Sequence, residues 1–159
     1  MNSEEYFALA LLNVILGASG LSSRLFLELR DKKGLAYVVR SAYDTAKSAA
    51  NFSIYIATEP KNIQVSLKGF EEEIQKIKSI PVDEEELENA KNNLFGKWAF
   101  ISETNSQQAH WLAHYAILGL GFDFREKAVE MIKKVTVKDI QDCANKYFND
   151  KFVLSVLKP

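Results

Sequence analysis

Cysteine occurs once in this chain, at Cys143, so no internal disulfide can form. A lone thiol suits a reducing compartment, and a cytoplasmic location is the expectation. Neither sign of charge is in excess. The formal net charge of -1 argues against a nucleic-acid partner, which would favour a clustered basic surface. Long hydrophobic runs are lacking as well. The stretch from Tyr6 to Leu16 is apolar, but it is too short to cross a bilayer, and Asn13 interrupts it. Glu4 and Glu5 precede it instead of basic residues, so it is expected to be neither a membrane span nor a targeting leader. Low-complexity segments, linkers and internal repeats are also missing.

What is present fits a soluble globular domain. Hydrophobic residues make up 47% and charged residues 26% of 159 residues, enough for one domain with a sizeable core. Apolar residues on all sides of 6–17 read as a buried helix. Gly17 and Gly20 then break the chain. No strand precedes them and no Lys-Ser/Thr pair follows, so a phosphate loop is a weak reading. Ala36 to Ala46 and Asn51 to Thr58 read as two strands joined by the short link KSAAN, an antiparallel hairpin. Tyr37, Val39, Ser41 and Tyr43 share one face of the first strand, and Phe52, Ile54 and Ile56 one face of the second.

Helices follow. Pro60 opens one that carries Ile63, Leu67, Phe70, Ile74 and Ile77, and Pro81 ends it. Asp83 with Glu86, Thr104 with Gln107, Asp123 with Glu126, and Thr136 with Asp139 each look like a helix-start capping pair. The acids from Asp83 to Glu86 suit a helix N-terminus better than a metal or acid/base site. Lys151 to Leu157 reads as a last strand. Segregated strands and helices predict an α+β fold, an antiparallel sheet covered on one face by several helices.

The stretch from Leu21 to Tyr37, LSSRLFLELRDKKGLAY, organises the rest. Ser22 and Ser23 can cap a helix, Leu25, Phe26 and Leu29 give it an apolar stripe, and Gly34 stops it. Arg30 at the helix end and Tyr37 at the strand start then flank one turn. An Arg fork and a Tyr hydroxyl suit the holding of carboxylates and carbonyls. The same pair has a plainer reading, with Arg30 bound to a surface acid and Tyr37 filling a sheet face.

This stretch resembles the SSRLF-x-ELREKRGLAY motif of the non-catalytic half-unit in the insulinase/pitrilysin family of zinc metallopeptidases. Ser22, Ser23, Arg24, Leu25, Phe26, Glu28, Leu29, Arg30, Gly34, Leu35, Ala36 and Tyr37 match it, while Asp31 and Lys33 are charge-keeping departures. The resemblance implies an inactive half-unit that faces a zinc-binding catalytic half-unit, on the same or another chain, across a closed chamber. It implies that a peptide substrate adds as a strand to the catalytic half, and that Arg30 and Tyr37 help to hold it. No catalytic or metal-ligating residue is expected in this chain, and the zinc is expected in the partner half. The family half-unit carries further strands before its first helix. Residues 1–159 are therefore expected to be a single inactive domain and a fragment of a longer chain that begins before Met1. An unpaired sheet edge would follow, with self-association through that edge or through the first helix.

Two other chemistries need weighing. His110 and His114 lie in HWLAH, a spacing that puts both imidazoles on one helix face, as zinc peptidases do. The family's catalytic motif, H-x-x-E-H, has its base where this chain has Ala113, and neighbouring Trp111, Leu112 and Tyr115 favour packing. An independent metalloenzyme on these two histidines is the lesser alternative. Cys143 and His114 as nucleophile and base have nothing in the sequence to bring them together. A binding or assembly module of the same fold, without peptidase activity, is the other alternative.

Overall fold

A computed structural model describes residues 4–46 and 49–158. The first helix, α1, runs Glu4–Asn13 and continues into a wider π-helical turn, Val14–Ala18, closed by Ser19 N–H donating to Val14 O at 3.1 Å. Phe7, Leu11, Leu12 and Leu16 are fully buried, as an all-round apolar helix requires. The polar interruption has a partner: Ser41 Oγ donates to Asn13 Oδ1 at 2.6 Å. Gly17 lets the π turn sit directly on the sheet, since a β-carbon there would overlap the backbone nitrogen of Ser41.

Strands β1, Ala36–Thr45, and β2, Ala50–Thr58, pair antiparallel, with Val39 opposite Ile56, Ser41 opposite Ile54 and Tyr43 opposite Phe52. These residues form the face turned to the core, and Arg40, Asp44 and Tyr55 lie exposed on the other. Residues 47 and 48 of the expected link lie outside the described residues. Tyr37 does not share the face of Val39 as strict alternation predicts. The register shifts between Ala36 and Val38, and Tyr37 is left 81% exposed.

Pro60–Asn62 form a 3₁₀ turn that leads into α2, Ile63–Ser79. Four helices follow: α3, Glu84–Phe100; α4, Asn105–Ile117; α5, Phe124–Lys134; and α6, Val137–Tyr147. Helices α3, α5 and α6 and strand β1 all pack around α1. Full capping boxes open α4 at Thr104 and α6 at Thr136, and Asp83 accepts from Glu86 N–H at α3. The expected cap at α5 is absent. Asp123 makes no side-chain cap bond, and its carboxylate pairs with Lys127 at 2.7 Å instead.

The sheet has two strands among the described residues, not three. Residues 151–157 form no strand, because no neighbouring strand takes up their backbone hydrogen bonds. Val153 and Leu157 are 96% and 99% exposed there. The α+β class stands: an antiparallel pair of strands packed on one face by helices.

Candidate functional site

The organising stretch folds differently from a capped α-helix. Gly20–Ser22 make a 3₁₀ turn, and Ser23 is extended. Ser23 Oγ donates to Gly20 O at 2.8 Å instead of accepting from the helix, and Ser22 Oγ donates to Ser19 Oγ, so neither hydroxyl is a helix cap. The helix winds as a π-helix over Phe26–Lys32, with Lys33 N–H donating to Glu28 O at 3.2 Å. Wide turns of this kind are concentrated at functional sites. Gly34, at a φ of 60°, stops it in the left-handed conformation a glycine adopts freely. Leu35 N–H then closes the turn on Leu29 O at 2.8 Å.

The stripe splits in two. Leu25 and Leu29 are fully buried in the core, while Phe26 is only half-buried and meets Arg30. The Arg30 guanidinium carbon lies 4.6 Å from the Phe26 ring centre and 4.9 Å from that of Tyr37. These are cation–π distances, and they orient the guanidinium without using its hydrogen-bond donors. Among the described residues no carboxylate pairs with Arg30. Glu28 pairs with Lys32, and Glu72 with Lys33 at 2.9 Å. The turn thus brings Arg30 and Tyr37 together.

Both residues line an open groove of about 460 Å³. One wall is the turn around Gly17 and Leu21, and the other is the start of β1 as far as Arg40 and Ser41. Arg40 also stacks its guanidinium 5.5 Å over Tyr55 on β2. The sequence reading missed Phe26 and Arg40 as groove residues. The four-residue spacing of Phe26 and Arg30 carries the signal for the first.

Arg24, in the same motif, belongs to the fold. It grips Glu86 with two hydrogen bonds, Nε to Oε1 at 2.8 Å and Nη2 to Oε2 at 2.5 Å, which ties the organising stretch to α3. The Glu86 carboxylate raises the Arg24 pKa further. Asp83, Glu85 and Glu86 line a separate hollow of about 400 Å³ at the α3 N-terminus.

His110 and His114 lie on one face of α4, their rings nearly parallel with centres 6.5 Å apart, and Trp111 sits edge-on to each. The donor set stops at these two imidazoles. Among the described residues, no group of three or more His, Cys, Asp or Glu side chains is gathered where a metal ion could be held. With Ala113 in the base position as well, α4 does not fit the zinc centre of the family's catalytic motif. Cys143 is buried on α6 with its thiol facing Glu5 O at 4.0 Å, and burial pushes its pKa up to about 11. A thiol so held is a poor nucleophile at neutral pH, and among the described residues no hydrogen bond joins it to His114.

Comparison with known proteins bears on this geometry. The family described as "Peptidase M16 inactive domain" matches residues 1–94. An uncharacterized zinc protease of Rickettsia felis is 31% identical over 160 residues, covering 100% of this chain and 38% of its own length. A non-peptidase homolog, YmxG, of Helicobacter pylori is 31% identical over 127 residues, covering 77% of this chain and 28% of its own. The crystal structure of a peptidase M16 inactive domain from Pseudomonas fluorescens superposes with a TM-score of 0.82 at 26% identity, over 93% of this chain and 35% of that one. The chain therefore spans between about a quarter and two-fifths of these proteins' lengths. With the family matched over more than half of its residues, the chain belongs to the insulinase/pitrilysin (M16) peptidase family, as an inactive domain of it.

Proposed function

We propose that this chain is the substrate-holding half of a two-part zinc peptidase, with Arg30 and Tyr37 as the residues that hold the peptide. The observation that carries the reading is the placement of Arg30. Its guanidinium is oriented by Phe26 and Tyr37, lacks a carboxylate partner among the described residues, and borders an open groove. Zinc and the general base belong to a partner catalytic half-unit in this reading, and the chain alone hydrolyses nothing. Arg30 donates to a peptide carbonyl or carboxylate, and the Tyr37 hydroxyl adds a second hydrogen bond.

Steady-state kinetics on the enzyme assembled from this chain and its zinc-bearing half tests the reading. Tyr37→Phe removes one hydroxyl, and Arg30→Lys keeps charge but loses the fork. Each is expected to lower peptide turnover by roughly ten- to a hundredfold, the effect of losing a charge-assisted bond of about 1.5–3 kcal/mol. Full turnover in both variants would remove Arg30 and Tyr37 from the site. A second reading, an assembly module without peptidase activity, draws support from the Helicobacter pylori relative's description as a non-peptidase homolog. An assembled complex that binds peptides but never cleaves them would select it.

A further inference from the structure

We propose that the groove beside Arg30 selects a carboxylate-bearing segment of the peptide, with Arg40 as a second, specificity-determining cation. This inference rests on the substrate-holding reading above and adds the chemistry of what is held. Among the described residues, those that line the groove include Arg30 and Arg40 and no Asp or Glu. Neither guanidinium has an ion-pair partner among those residues. Elsewhere Lys33, Lys61, Lys127, Lys133 and Lys146 pair with nearby acids, and Lys78, Lys97 and Arg125 donate to backbone carbonyls.

Both free cations rest on aromatic rings, Arg30 on Phe26 and Tyr37, and Arg40 on Tyr55. Stacking restrains the planar fork and leaves its edge donors for a ligand. A peptide carbonyl takes one such donor, whereas a carboxylate takes two in parallel with full charge assistance. The apolar surfaces of Leu21 and Phe26 in the same groove suit the aliphatic neighbours of that carboxylate. The carboxylate has two sources, an acidic side chain or the peptide's free C-terminus, and the groove's chemistry is the same for both.

The test is fluorescence anisotropy with the 159-residue chain and three labelled octapeptides of Ala, Ser and Leu. The first has one central Glu and an amidated C-terminus. The second replaces that Glu by Gln. The third is the Gln peptide with a free C-terminal carboxylate. At least one carboxylate peptide is expected to bind roughly tenfold or more tightly than the neutral amide. Which one does so identifies the source. The preference is expected to shrink with added salt, because the groove is open to solvent. Arg30→Gln is expected to abolish it and Arg40→Gln to reduce it, with Lys138→Gln as the unaffected surface control. Thermal melts on the same samples separate lost binding from lost folding, and Arg40, on the exposed sheet face, supplies a variant that does not touch the core. Equal affinity for all three peptides overturns the charge preference while leaving the substrate-holding reading intact. Failure of every peptide to bind at millimolar concentration also overturns the charge preference, while turnover by the assembled enzyme decides the substrate-holding reading.

Discussion

Arg24 and Arg30 stand six residues apart in one motif, and the structure uses them in opposite ways. Arg24 points to α3 and spends its fork on the two oxygens of Glu86, with both side chains mostly buried at 21% and 28% exposure. Arg30 points to the groove, rests on two rings and keeps its donors unused within the chain. A buried bidentate pair fixes one element against another, because either charge left alone would be costly. A stacked but unpaired guanidinium does little for the fold and remains available to a ligand. Residue type and motif membership are the same for both. What separates them is whether the opposite charge comes from within the chain.

Breaking the packed side should cost most. Leu29 is fully buried between the two arginines, and Leu29→Ala is expected to destabilise the chain by about 2–5 kcal/mol in urea unfolding. Arg24→Ala leaves Glu86 without its partner, and a loss of about 1–2 kcal/mol in the same assay is expected, with peptide binding retained in the folded fraction. Arg30→Ala sharpens the contrast from the other side. It should change stability by no more than about 0.5–1 kcal/mol, the range of an exposed cation–π contact, yet remove peptide binding. A large stability loss in Arg30→Ala with binding intact would reverse the two assignments.

The smallest effect is expected where a paired charge lies at the surface, about half exposed. Glu5 accepts from Lys146 at 2.5 Å and Tyr147 at 2.7 Å, and the Lys146 hydrogen bond is the main cause that holds its pKa below the ordinary 4.5. A lowered carboxylate pKa contributes stability above the unfolded value and loses it as pH falls through the folded one. The difference in melting temperature between the native chain and Glu5→Gln should therefore narrow as pH drops from about 5 to about 3. A constant difference across that range would assign the contact no electrostatic role.

Local signals made much of this legible in the sequence. The capping pairs at Thr104 and Thr136, the Gly34 stop, Pro60 at a helix start and the alternation along β2 all depend on neighbours within a few residues, and the structure holds each of them. The failures depend on residues far along the chain or on its pairing. Asp123 chose Lys127 over its own helix end, and residues 151–157 have strand composition without a strand to lie against. Juxtaposition of Arg30 and Tyr37 could be read because one tight turn joins them. Arg24's role could not, because Glu86 lies 62 residues away.

Helix α1 carries a consequence for how the chain is made. Its apolar surface is covered largely by α5 and α6, which follow it by more than a hundred residues in the chain. At about 5–20 residues per second, it waits on the order of ten seconds for that cover. During this interval the most hydrophobic helix of the domain has only β1 and α3 to shelter it. The domain can thus close only after α6 has been made, and the α1–α6 contact is expected to form late. Ribosome-bound chains arrested before Val137 should be cut readily by protease, and chains released after Tyr147 should resist it; early resistance would show that α1 finds its shelter without the final helix.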